Sequence, residues 1–143
     1  RLVFSGIMER CPDLNIITHH LGGGIPFLWG RIAETYSTEN TPETLGSHTD
    51  RRSFMQSLSK PLFHYFSRFY YDTAVGGLGD SIKLTCNVFG ADQVIFATDA
   101  PWGPRKGEDR LAEYQKTVKS AGLSEVDTEK ILSGNARRIF GMG

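Results

Sequence analysis

Cysteine is scarce in this chain: Cys11 and Cys86 are the two in 143 residues, and they form no Cys-x-x-Cys pair. That excludes a disulfide scaffold and a cysteine-rich zinc knuckle, and it fits a reducing, cytoplasmic setting. An excess of one charge sign is also missing, because 16 Lys and Arg balance 16 Asp and Glu. Neither nucleic acid nor an anionic membrane surface is therefore an expected partner. No apolar run approaches the roughly twenty residues that span a bilayer, and no basic segment followed by an apolar core opens the chain. Internal repeats and low-complexity tracts are absent as well.

The familiar catalytic loops are missing too. Gly22-Gly23-Gly24 lacks the Gly-Lys-Ser/Thr ending of a phosphate-binding loop, and Gly77-Leu78-Gly79 is followed by Ile82 where a dinucleotide fingerprint needs its third small residue. There is no Gly-x-Ser-x-Gly nucleophile elbow, no His-x-His and no His-Glu-x-x-His. Hydride transfer and serine hydrolysis lose ground, and a complete local metal site is not signalled.

What is present is an alternation of strand and helix patterns. The length fits a single domain over 1–143. Leu2, Val3, Phe4, Ile7 and Met8 stand in helical spacing, which predicts a helix near 1–10 stopped by Cys11-Pro12-Asp13. The chain opens at Arg1 inside that pattern, as expected of a piece cut from a longer protein. Leu14 to Thr18 reads as a β-branched strand, Ile25 to Tyr36 as a helix with Pro26 in its first turn, and 37–50 as an excursion loop. A helix over 51–66 interrupted at Pro61, an aromatic strand over 68–73 and a helix leading through Val88 follow. A strand from Val94 runs into Asp99, and two helices near 108–121 and 125–133 precede a helical turn over 136–140. Gly122 can end the first of these two helices, and Ser124 can cap the second. Strands alternating with helices imply a parallel sheet with right-handed crossovers.

Val94-Ile95-Phe96-Ala97-Thr98-Asp99-Ala100-Pro101-Trp102 is the most informative run. An interior-strand pattern ends there in a carboxylate, where α/β enzymes keep their chemistry. By position alone, Asp99 is open between a turn residue and a catalytic group. His19 and His20 end the first strand, and strand alternation aims one ring at a sheet-top site and the other at the opposite face. His64 sits among aromatics as a packing or surface residue, and His48 stands alone in the excursion loop. His20, Asp72 and Asp99 thus end three consecutive strands, and a histidine beside a carboxylate-held metal is a workable acid/base site.

Pro12-Asp13-Leu14 with His19-His20-Leu21-Gly22-Gly23-Gly24-Ile25-Pro26-Phe27 and Gly30-Arg31 resembles the sixth-strand motif of the amidohydrolase-related decarboxylases and hydrolases. These are TIM-barrel enzymes of the aminocarboxymuconate-semialdehyde and γ-resorcylate decarboxylase kind. Tyr71-Asp72-Thr73-Ala74 is similar to their seventh strand, the run from Phe96 to Trp102 to their eighth, and Ile131 to Phe140 to their closing helix. The resemblance implies an α/β fold: the C-terminal three βα units, strands 6–8, of an incomplete (β/α)8 barrel.

By the same resemblance, Asp99 is a metal ligand, usually to zinc, and can act as a base in a hydrolytic reaction, and His20 is the catalytic acid/base. Arg31 lies near the carboxylate of a small-molecule substrate, where a guanidinium gives a two-point contact. Trp102 stacks on an unsaturated or aromatic substrate. Two departures stand out. The family's His-x-His of strand one and histidine of strand five are not in this chain, which leaves Asp99 without its usual co-ligands. Gly23 stands where resorcylate-type decarboxylases carry a glutamate, which points to the aminocarboxymuconate-type or hydrolase branch. Decarboxylation, hydrolysis and hydration share this apparatus and stay open. So do two alternatives: an inactive barrel fragment that hides its sheet edges as a homo-oligomer, and a carboxylate-binding module using Arg31 and Trp102 without metal.

Overall fold

The computed structural model describes residues 2–36 and 58–142. The excursion loop at 37–50 and the first part, 51–57, of the helix expected over 51–66 lie outside the described residues. Three strands, β1 (Ile16–Thr18), β2 (Phe69–Asp72) and β3 (Val94–Ile95), form one parallel sheet in the order β1-β2-β3. Thr18 pairs with Tyr71, and Asp72 with Ile95, so the carboxyl ends of the strands lie at one edge of the sheet. All four residues of β2 are buried, as befits a central strand covered on both faces.

Seven helices surround the sheet among the described residues: α1 (Ile7–Arg10), α2 (Ile25–Thr35), α3 (Leu62–Phe66), α4 (Gly79–Phe89), α5 (Arg110–Lys119), α6 (Glu125–Glu129) and α7 (Asn135–Phe140). The crossover helices α2 and α4 meet over an aromatic cluster. The Tyr71 and Phe89 rings stack at 4.7 Å, and Trp29 sets its edge against Phe89 at 5.3 Å and against Phe63 at 5.5 Å. Such pairs contribute about 0.5–1.5 kcal/mol each beyond the area they bury. The Tyr71 hydroxyl donates to the Phe66 carbonyl at 2.7 Å, and burial pushes its pKa upward.

Several elements differ from their sequence expectation for identifiable reasons. The first helix is only Ile7–Arg10, because Gly6 adopts φ +69° and breaks the helical path from residue 2. The third strand ends at Ile95 rather than running to Asp99. Beyond it the Thr73 hydroxyl takes over the ladder, accepting from the Ala97 N–H at 3.0 Å and donating to the Ala97 carbonyl at 3.1 Å. The Phe96 N–H turns to the Ile131 carbonyl, 3.0 Å away in the π-helical turn Lys130–Gly134. Ser124 caps α6 as expected, its hydroxyl accepting from the Asp127 N–H at 3.1 Å. The closing helix α7 is pinned by buried Asn135, whose amide donates to the carbonyls of Ala91 at 2.8 Å and Val94 at 2.7 Å.

Candidate active site

The chain leaves β1 through a turn that few sequences tolerate. His20, Leu21, Gly22 and Gly23 all have positive φ, at +54°, +52°, +72° and +64°. Glycine takes this region freely, while each L-residue with a Cβ costs roughly 1–2 kcal/mol there. Gly22 is also sterically required: a Cβ would stand 2.9 Å from Cε1 of the Tyr71 ring. The turn carries both histidines back toward β2, so they do not face opposite sides of the sheet as simple strand alternation suggests. Their ring centroids are 6.0 Å apart.

Asp72, at the end of β2, holds this turn. It is 4% exposed, yet its carboxylate is fully used. Oδ1 accepts from the His20 N–H at 2.8 Å and from the Ala74 N–H at 3.1 Å. Oδ2 accepts from His19 Nδ1–H at 2.9 Å. Hydrogen bonds to a charged acceptor are about twice as strong as neutral ones, and a carboxylate this deeply buried needs them.

The His20 imidazole donates from Nδ1 to the Ala74 carbonyl. A carbonyl only accepts, so the proton sits on Nδ1 and Nε2 is left for other work. Beside the ring is a cavity of about 100 Å³ lined mainly by apolar groups, among them Leu21, Pro26, Phe27, Val75 and Leu84, with Ser81 and Thr85 as polar exceptions.

The segment beyond β3 is built differently. Asp99 has φ +61°, the Ala100–Pro101 bond is cis, and the Trp102 N–H donates to the Asp99 carbonyl at 2.9 Å. Arg110 Nη1 lies 3.5 Å from Asp99 Oδ2, with both side chains partly exposed. Gly103 makes room for that guanidinium, since a Cβ there would meet Arg110 Nε at 2.6 Å. Trp102 is 72% exposed. Arg31 is exposed on α2 and has no pairing partner among the described residues.

Of the residues singled out in the sequence, His20 and Asp72 are brought into direct contact, whereas the Asp99 carboxylate is joined to Arg110. No hydrogen bond or ion pair among the described residues links these two groups. Nor does any trio of His, Cys, Asp or Glu among them stand close enough to hold a metal ion. A catalytic ion commonly takes three protein ligands. The described residues thus do not by themselves fit a bound metal. Arg110 carried no sequence signal. Asp72 is one of the three strand-end residues marked in the sequence, but its hydrogen bonds to the His19-His20 turn were not foreseen there.

The amidohydrolase family model Amidohydro_2 matches residues 1–142. Gamma-resorcylate decarboxylase of Rhizobium sp. (strain MTP-10005) is 28% identical over 141 residues, covering 98% of this chain and 38% of that protein. The 2-amino-3-carboxymuconate-6-semialdehyde decarboxylase of Dictyostelium discoideum is 26% identical over 143 residues, covering 99% and 35%. The crystal structure of dihydroxybenzoic acid decarboxylase from Polaromonas sp. JS666, with bound manganese and the inhibitor 2-nitroresorcinol, matches with a TM-score of 0.73. It is 27% identical and covers 99% of this chain and 38% of that one. The chain therefore spans well under half the length of these relatives. Identities of 28% and 26% to the two kinds of decarboxylase do not separate the branches that Gly23 set apart.

Proposed function

The chain belongs to the amidohydrolase family, and on that footing we propose that it carries the proton-transfer part of a metal-dependent carboxy-lyase. The substrate class is a small aromatic or unsaturated carboxylic acid. The observation that carries this reading is the His20 turn: an exposed imidazole with Nδ1–H tied to the Ala74 carbonyl and Nε2 without a hydrogen-bond partner among the described residues, in a residue that lines a small, mainly apolar cavity.

In the protonated state Nε2–H is the acid. It delivers a proton to the ring carbon that bears the carboxylate. The bond from that carbon to the carboxyl group then breaks, its electron pair returns to the ring, and carbon dioxide leaves. Water reprotonates Nε2 to complete the cycle. Arg31, without a pairing partner among the described residues, offers its guanidinium to a substrate carboxylate, and the exposed Trp102 indole offers a stacking face.

The ion is proposed only as a divalent cation, with Asp99 as one ligand and the others from outside the described residues. The resemblance favoured zinc, but the Polaromonas relative holds manganese. Within this reading, β1, β2 and β3 are strands six to eight of a (β/α)8 barrel.

Turnover of 2,6-dihydroxybenzoate and related acids by the full-length protein, reconstituted with zinc or manganese, tests the assignment. His20→Gln is expected to lower kcat by about 10²–10⁴-fold, the usual worth of a general acid. A His20→Gln enzyme that keeps the wild-type rate would overturn it.

A further inference from the structure

We infer that Asp72 is a positioning residue that decides which nitrogen of His20 faces the reaction. The inference rests on the role proposed for His20, and it goes further by explaining how that imidazole is set. Among the described residues the His20 ring has a single polar partner, the Ala74 carbonyl. Both ends of that hydrogen bond are referenced to one atom. Asp72 Oδ1 holds the His20 N–H at 2.8 Å and the Ala74 N–H at 3.1 Å, so the residue that carries the ring and the residue that accepts from it cannot drift apart. The closed circuit runs from Oδ1 through His20 to the Ala74 carbonyl and back through the Ala74 N–H.

A neutral histidine side chain in water places its proton mainly on Nε2, and the hydrogen bond that one ring nitrogen makes can reverse that preference. Here the fixed carbonyl demands Nδ1–H and so keeps the Nε2 lone pair available. The positive φ at His20 and Leu21 adds a conformational cost that the same carboxylate offsets. On the outer side, His19 Nδ1–H at 2.9 Å occupies Oδ2, and its own ring is 82% exposed. His19 thus satisfies the remaining oxygen and takes no bond from the circuit.

Long-range ¹H–¹⁵N spectra of the histidine rings, recorded on the substrate-free full-length protein and assigned by the signals lost in His20→Gln, test this. Wild-type His20 is expected as the Nδ1–H tautomer when neutral. Asp72→Asn, whose Oδ1 can still accept both backbone N–H groups, is expected to keep that tautomer and most of kcat. Asp72→Ala is expected to move His20 toward the Nε2–H form and lower kcat by about tenfold or more at little change in KM. If Asp72→Ala does not fold, Asp72→Ser, with its shorter hydroxyl, takes its place. An Nε2–H tautomer in the wild type, or an unchanged Nδ1–H tautomer in folded Asp72→Ala or Asp72→Ser, would overturn the inference. These spectra need no turnover, so they fail or succeed independently of the His20→Gln rate that tests the proposed reaction.

Discussion

The turn after β1 and the turn after β3 each carry a candidate catalytic residue, but they are held by different physics. At the first, a carboxylate that is 4% exposed accepts three hydrogen bonds and ties two strand ends together. At the second, Asp99 and Arg110 face each other at 3.5 Å with roughly a third and a quarter of their side chains exposed. A buried, fully satisfied carboxylate fixes geometry, whereas a half-exposed ion pair is screened by solvent and contributes little rigidity. A proton donor must be pre-aimed to act, which the His20 turn provides; the Asp99 carboxylate is paired with Arg110 and would have to leave that pair to hold an ion.

The rigid turn is the more sensitive of the two to a single substitution. Asp72→Ala leaves the N–H groups of His20 and Ala74 without their acceptor and should cost about 2–4 kcal/mol, read from urea unfolding midpoints. A loss no larger than that of a surface substitution would erase the difference between the two turns. Gly22→Ala comes next. Positive φ and the approach to Tyr71 together predict a loss of about 1–3 kcal/mol, measured the same way. At the open end, Arg110→Ala should change stability by less than about 1 kcal/mol. A larger loss would show that the Asp99 turn is as firmly built as the His20 turn.

The smallest effect concerns a carboxylate far from both turns. Glu9 accepts hydrogen bonds from the Tyr65 hydroxyl and, at 2.7 Å, from the Ser59 N–H. Those bonds, the one from Tyr65 first, hold its pKa down to about 2 from an ordinary 4.5. A depressed carboxylate pKa contributes stability that is fully present above pH 4.5 and is lost as pH falls toward 2. The gap between wild type and Glu9→Gln in thermal unfolding should thus be constant above that range and close within it. A gap independent of pH would refute the link.

Much of this architecture was legible because it rests on local chemistry. β-Branched and aromatic runs marked all three strands, Pro26 and Ser124 marked helix starts, and the Gly22-Gly23-Gly24 run marked a turn. Three features were not legible. The third strand stops at Ile95 because the next hydrogen bonds go elsewhere: Ala97 to the Thr73 side chain and Phe96 to the Ile131 carbonyl, 24 and 35 residues away in the chain. The first helix shortens because Gly6 goes left-handed. His19 and His20 turn the same way because strand alternation ends at Thr18 and positive φ takes over at His20.

Local chemistry along the chain set which residue types stand at or just beyond the strand ends: a histidine pair and two aspartates, each beside glycine, proline or small residues that permit sharp turns. It also determined the parallel alternation, since hydrophobic period and turn chemistry are properties of neighbours along the chain. Which carboxylate serves which partner was settled by strand pairing and packing. Asp72 meets His20 because β1 and β2 are paired in register, and Asp99 meets Arg110 because Gly103 leaves space for a guanidinium. Those choices depend on contacts across 52 and 11 residues of chain, and no local pattern records them.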